Sequence, residues 1–154
     1  MLGSAIGLAP VPAQTQSPSY VGVSKCKTCH LAQFNIWSKS AHAKAHEVLG
    51  EDAGNPECLP CHSTGLEGPR DPRAGDMSGV QCEVCHGPGS LYKSPMIMSK
   101  SRYQRDPEVA RKKALAAGLV LPGEKVCTSC HNEKSPTFKG FDFNAYREQI
   151  KHWE

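Results

Sequence analysis

Four copies of one five-residue pattern constrain this chain more than anything else in it. Residues 26–30 (CKTCH), 58–62 (CLPCH), 82–86 (CEVCH) and 127–131 (CTSCH) all read C-x-x-C-H, and together they use all eight cysteines. This is the attachment signature of c-type haem. Two thiols at this spacing add across the two vinyl groups of one porphyrin edge, and the adjacent histidine reaches under the ring to the iron. Paired cysteines also occur in Cys₄ zinc sites, in disulfides of secreted chains and around iron–sulfur clusters. None of those requires histidine directly after the second cysteine, four times out of four. The expected cofactors are therefore four covalently bound haems c, attached through Cys26, Cys29, Cys58, Cys61, Cys82, Cys85, Cys127 and Cys130, with His30, His62, His86 and His131 as proximal iron ligands.

The rest of the composition agrees. Leu, Ile, Val and Phe make up only 27 of 154 residues, below the roughly 20% at which a chain struggles to build its own core. The porphyrins must fill the interior, and the 14 Gly and 12 Pro suit a chain that wraps cofactor. The formal charge of +3 is not a nucleic-acid signal, because eight propionates and four ferric cores bring the holoprotein to about −1 oxidised and about −5 reduced. No apolar run reaches the ~18 residues that a membrane helix needs.

Residues 1–19 carry no charged side chain. They read as a signal remnant or a disordered tail ahead of a haem domain over 20–154. The motifs are unevenly spaced, so there is no fixed-period repeat. Residues 31–49 predict a helix closed by Gly50. Residues 63–79 predict a loop. Gly87-Pro88-Gly89 stops any helix after His86. Asp106-Pro107 predicts an N-cap and first helical position, with the helix running to Ala117 and Gly118 as its stop. Residues 142–153 predict a final helix. The expected fold is mostly α, small and irregular, packed around haem, with few or no strands.

Four irons have eight axial positions, and the chain has seven histidines. Beyond the motifs only His42, His46 and His152 remain, so at least one iron cannot have two histidine ligands. Met77, Met96, Met98 or an open position must make up the difference. On the predicted helix His42 and His46 share one face at i and i+4. His152 shares a stripe with Tyr146 and Gln149. Met96 and Met98 lie in an apolar patch where packing is the alternative.

With these residues in hand, the chain resembles the tetrahaem cytochrome c-554 family, electron carriers of ammonia-oxidising bacteria and their relatives. The likeness runs from about Lys25 to His152. It rests on CKTCHLAQFNIWSKSAHAKA at 26–45, GVQCEVCHGPG at 79–89, VCTSCH at 126–131 and a histidine in the last helix. The resemblance implies that His42 pairs with His131 on the fourth haem and His152 with His86 on the third. It implies that the second haem, at His62, is open on its far side. The first haem of the family takes a histidine ten residues beyond the third motif's histidine; here that position is Met96, which suggests His30/Met96 ligation. His46 is a second departure, because it offers a ligand that would close the open haem.

The function expected from these features is an exported, periplasmic or extracellular electron carrier, more a carrier than an enzyme, passing electrons from haem to haem between donor and acceptor proteins. Lys100, Arg102, Arg105, Arg111, Lys112 and Lys113 offer a basic face for an acidic partner, with a solvated helix face as the alternative. One competing reading is a reductase of a small nitrogen or sulfur species at the open haem, with Arg70 and Arg73 as distal groups. Another is a homo-oligomer or conductive filament in which a ligand such as His46 crosses to the next subunit.

Overall fold

The structure, a computed structural model, describes residues 16–152 of the chain. Its elements are short helices joined by long turns. They are α1 (Val23–Lys27), α2 (Leu31–Trp37), a 3₁₀ segment (Glu47–Gly54), α3 (Leu59–His62), α4 (Cys82–His86), α5 (Lys100–Arg105), α6 (Pro107–Ala116), α7 (Glu124–Thr128) and α8 (Phe143–Gln149). Among the described residues there is no strand, only the isolated bridges Tyr20–Arg70 and Ser63–Ser78. The mostly helical, nearly strandless fold is the one expected from the sequence.

Several ends fall where capping chemistry puts them. Asp106 accepts the Val109 N–H at 3.1 Å and Pro107 opens α6, while Asp142 accepts the Ala145 N–H at 2.9 Å at the start of α8. Gly87 ends α4 in the left-handed region at φ +76°. Residues 63–79 form the predicted loop.

Two expectations are corrected, and one helix was unforeseen. The helix over 31–49 stops at Trp37, and residues 38–46 run as tight turns. The cause is long-range: the Trp37 indole donates to the Val80 carbonyl at 2.8 Å, and the Val80 N–H donates to the His42 carbonyl at 2.9 Å. These bonds pull the chain onto residues 79–80, so His42 and His46 do not share one helical face. Gly79 permits the approach, since at φ +76° a Cβ would lie 2.8 Å from the Ala43 carbonyl oxygen. The last helix ends at Gln149, which leaves His152 beyond it. Helix α5 was not expected at all. The Ser99 hydroxyl caps it by accepting the Arg102 N–H at 3.4 Å.

The polypeptide's own core is small. Among the described residues the buried apolar side chains are Tyr20, Val21, Ala74, Met77, Tyr92 and Ala114. Three buried polar residues, Thr64, Gln81 and Glu83, hold the segments around them. Thr64 Oγ1 donates to the Gly79 carbonyl at 2.7 Å and accepts the Gln81 N–H at 2.9 Å. The Gln81 side chain accepts the Val23 N–H at 2.8 Å and donates to the Asp76 carbonyl at 2.9 Å. Each of these groups is satisfied, as buried polar atoms must be. So few apolar contacts cannot offset the entropy of ordering the chain, and groups other than side chains must complete the interior.

Candidate haem and iron-ligand site

Each C-x-x-C-H motif is built on a single helical turn. In the first, the Cys29 N–H and His30 N–H both donate to the Cys26 carbonyl, at 3.2 and 2.9 Å; the fourth repeats this with Cys130 and His131 on the Cys127 carbonyl. A turn of this kind brings two thiols to one edge and projects the next imidazole beside them. All eight thiols are free of disulfides. Among the described residues no group of three or more Cys, His, Asp or Glu side chains converges as a tetrahedral zinc site would require.

The motifs meet in pairs. The Cys26 thiol lies close to that of Cys82, bringing the first motif beside the third, and the Cys61 thiol close to that of Cys130, bringing the second beside the fourth. The first contact raises the Cys26 thiol pKa more than burial does, while burial leads in raising Cys61 to about 11. Burial, then the charge of Cys127, raises Cys85 to about 11, which places the third motif beside the fourth.

Two of the three histidines outside the motifs fall opposite motif histidines. The rings of His42 and His131 stand 6.0 Å apart, centroid to centroid, at 56°. Those of His86 and His152 stand 6.1 Å apart at 89°. Two imidazoles bound through nitrogen to opposite sides of one metal ion, at ~2.0 Å each, have centroids about 6 Å apart. Burial, then the charge of His131, lowers the His42 pKa, and burial is likewise the largest cause for His86 and the cause for His131. All three are thus held towards the neutral imidazole that binds metal.

Backbone carbonyls fix three of the rings. Nδ1 of His62 donates to Ala45 at 2.5 Å, Nδ1 of His86 to Val120 at 3.2 Å and Nδ1 of His152 to Ile150 at 2.9 Å. Each bond sets the tautomer and leaves Nε2 outward for a metal. A cavity of about 450 Å³ opens beside two of the motifs, lined by Cys26, His30, Cys82, Cys85, His86 and His152 together with Phe34 and Trp37. Thiols on the rim, imidazoles at haem-ligand separation and an apolar wall are the donor set that a covalent haem requires.

The other candidates are placed differently. Met77 is buried against Tyr20 and Ala74 in the polypeptide core. Met96 sits on an exposed turn and is 67% exposed; the wall of the cavity that includes His30 does not include it. His46 directly follows Ala45, whose carbonyl backs the His62 ring, and its charge acts on the Asp76 carboxylate. Arg70 donates to the Gly65 carbonyl at 2.6 Å, and Arg73 pairs with Asp71 at 3.2 Å. Sequence reasoning missed Phe141, which stacks on His131 at 4.8 Å and 19°. It also missed Glu83, buried inside the third motif.

A small helical fold with a minimal side-chain core, wrapped around four C-x-x-C-H turns, defines a multihaem c-type cytochrome. Residues 25–87 match the family model for cytochrome c554 and c-prime. The chain is 28% identical over 148 residues to cytochrome c-554 of Nitrosomonas europaea, a match that covers 79% of this chain and 61% of that protein's length. It also superposes on the solved reduced state of cytochrome c554 from Nitrosomonas europaea, with a TM-score of 0.61 and 27% identity, covering 83% of this chain and 73% of that one. All three comparisons support one family, that of the tetrahaem cytochrome c-554. Its members carry four covalent c-type haems, and the eight cysteines here supply the attachments for the same number. No helix among the described residues is long and apolar enough to cross a membrane.

Proposed function

We propose that the chain is an exported electron carrier that takes electrons from one redox protein and passes them to another. When bound, the haems supply one-electron centres. The polypeptide holds them close, sets their potentials and limits what can reach the irons. The observation that carries this reading is the pair of opposed imidazoles, His42 with His131 and His86 with His152, at 6.0 and 6.1 Å. An iron held from both sides by the chain has no position left for a substrate. It can only gain and lose electrons.

The other two irons follow from the remaining residues. His30 would hold the first; Met96 is its second ligand by the family resemblance alone, since its thioether is exposed and off the wall of the cavity that includes His30. His62 would hold the second from one side only. The Ala45 carbonyl lies behind Nδ1 of that ring, so the chain leading into His46 is on the side away from the metal. An open position there is the better reading. The thiol contacts of the first motif with the third, and of the second with the fourth, support electron exchange within those pairs, and the approach of Cys85 to Cys127 supports exchange between them. Haem attachment outside the cytoplasmic membrane makes the periplasm the expected location. Neither the reductase nor the filament reading is favoured by a particular feature, since Arg70 and Arg73 are engaged within their own loop.

The test is carbon monoxide added to the fully reduced protein. A shift in about a quarter of the haem absorption, with the rest unreactive, is the result expected of a carrier with one open iron. Binding at three or more irons would defeat the reading, because at least one of the two histidine pairs would then not be a ligand pair; binding at two would only remove Met96 from the first iron.

A further inference from the structure

The third motif contains a carboxylate that haem attachment does not use. Glu83 is 1% exposed. Its Oε1 accepts the Val21 N–H at 2.9 Å and the Gly89 N–H at 2.6 Å, and its Oε2 accepts the Gly22 N–H at 2.7 Å and the Val21 N–H at 3.1 Å. Every one of these contacts is donated by a backbone N–H. That suits the acceptor-only carboxylate, whereas a carboxamide would turn its own N–H group against a donor. The donors come from just before the first motif and just after the third. The charge of Glu83 is felt at both Cys26 and Cys82, whose thiols lie close together.

We infer that Glu83 is a buried fixed anion between the haems attached at Cys26/Cys29 and Cys82/Cys85, and that it lowers the reduction potential of both. Taking up one electron converts ferric to ferrous iron and removes one positive charge from that haem. A nearby negative charge therefore stabilises the oxidised form, and it acts strongly because the surroundings are dry. No proton moves in this step. Glu83 is thus a tuning residue as well as a tether for residues 21–22. The inference rests on haem attachment and not on the carrier reading, so failure of a carrier assay would leave it standing.

The experiment uses Glu83→Gln and Glu83→Asp holoproteins, each verified by mass to contain four haems. Reduction is titrated electrochemically with each haem followed by paramagnetic NMR. In E83Q the potentials of the haems at Cys26/Cys29 and Cys82/Cys85 rise, while those at Cys58/Cys61 and Cys127/Cys130 stay as in wild type. In E83D, which keeps the charge but shortens the reach, thermal stability falls and all potentials stay near wild type. Unchanged potentials in E83Q, or a shift in E83D as large as in E83Q, would overturn the inference. Should E83Q fail to assemble, E83D alone decides: wild-type potentials uphold a charge effect, and raised potentials at the two haems refute it by assigning them to lost packing.

Discussion

Ring orientation is settled residue by residue. The imidazoles of His86 and His152 are nearly perpendicular, at 89°, while those of His42 and His131 are crossed at 56°. Parallel ligand planes split the two iron d orbitals that carry the ferric spin, whereas perpendicular planes leave them nearly equal in energy. The His86/His152 haem should therefore give the more anisotropic low-spin signal by electron paramagnetic resonance. Replacing His152 with Ala should abolish that signal and leave a high-spin centre; an unchanged spectrum would remove His152 from the ligand set. Tyr20 yields a separate expectation. Burial first, then its 2.9 Å hydrogen bond to Glu67, pushes the phenol from its ordinary 10.0 up to about 12. The protonated form is the one favoured by the fold. Its contribution to stability is complete below pH 10, declines as the pH rises towards 12 and is gone above that. Urea midpoints measured across this window should fall further for the wild type than for Tyr20→Phe.

Elements here owe their limits to bonds made across the chain as much as to local preference. Helix α6 was legible because Asp106, Pro107 and Gly118 are local signals. Helix α2 was overextended because the bonds that end it come from Val80. Helix α5 was missed because Ser99 caps a stretch with no apolar periodicity. The loops are held by buried polar hubs, of which Thr64 is the most enclosed at 0% exposure. Replacing Thr64 with Val keeps the volume but strands the Gln81 N–H and the Gly79 carbonyl. The expected cost is about 1–3 kcal/mol in chemical denaturation, with the haem spectrum unchanged in the native state. Removing the α6 cap with Asp106→Ala should cost about 0.5–2 kcal/mol by the same measurement.

At the scale of the whole molecule, cofactor and core are the same thing. With so few buried apolar side chains among the described residues, the polypeptide alone lacks the burial needed to fold. Chain produced without haem attachment should show little helical circular dichroism and no cooperative melting transition, whereas the holoprotein should show both. A cooperative transition in the haem-free chain would mean that the side-chain core is sufficient.

The number of haems was legible because each motif fits within one turn of helix, where spacing along the chain is spacing in space; the same turns carry the proposed attachment cysteines and proximal histidines. The shortage of ligands was legible by counting. The pairing of distal histidines with motifs came only through likeness to a family, because it depends on residues that the chain brings together from far apart. Tertiary structure alone decided that His42 leaves its helix for a turn tied to Val80, and that Phe141 stacks on His131. It also decided that Glu83, at a variable position of the motif, is buried under the N–H groups of Val21, Gly22 and Gly89. Those outcomes depend on hydrogen bonds and packing between distant segments, and no local periodicity carries that information.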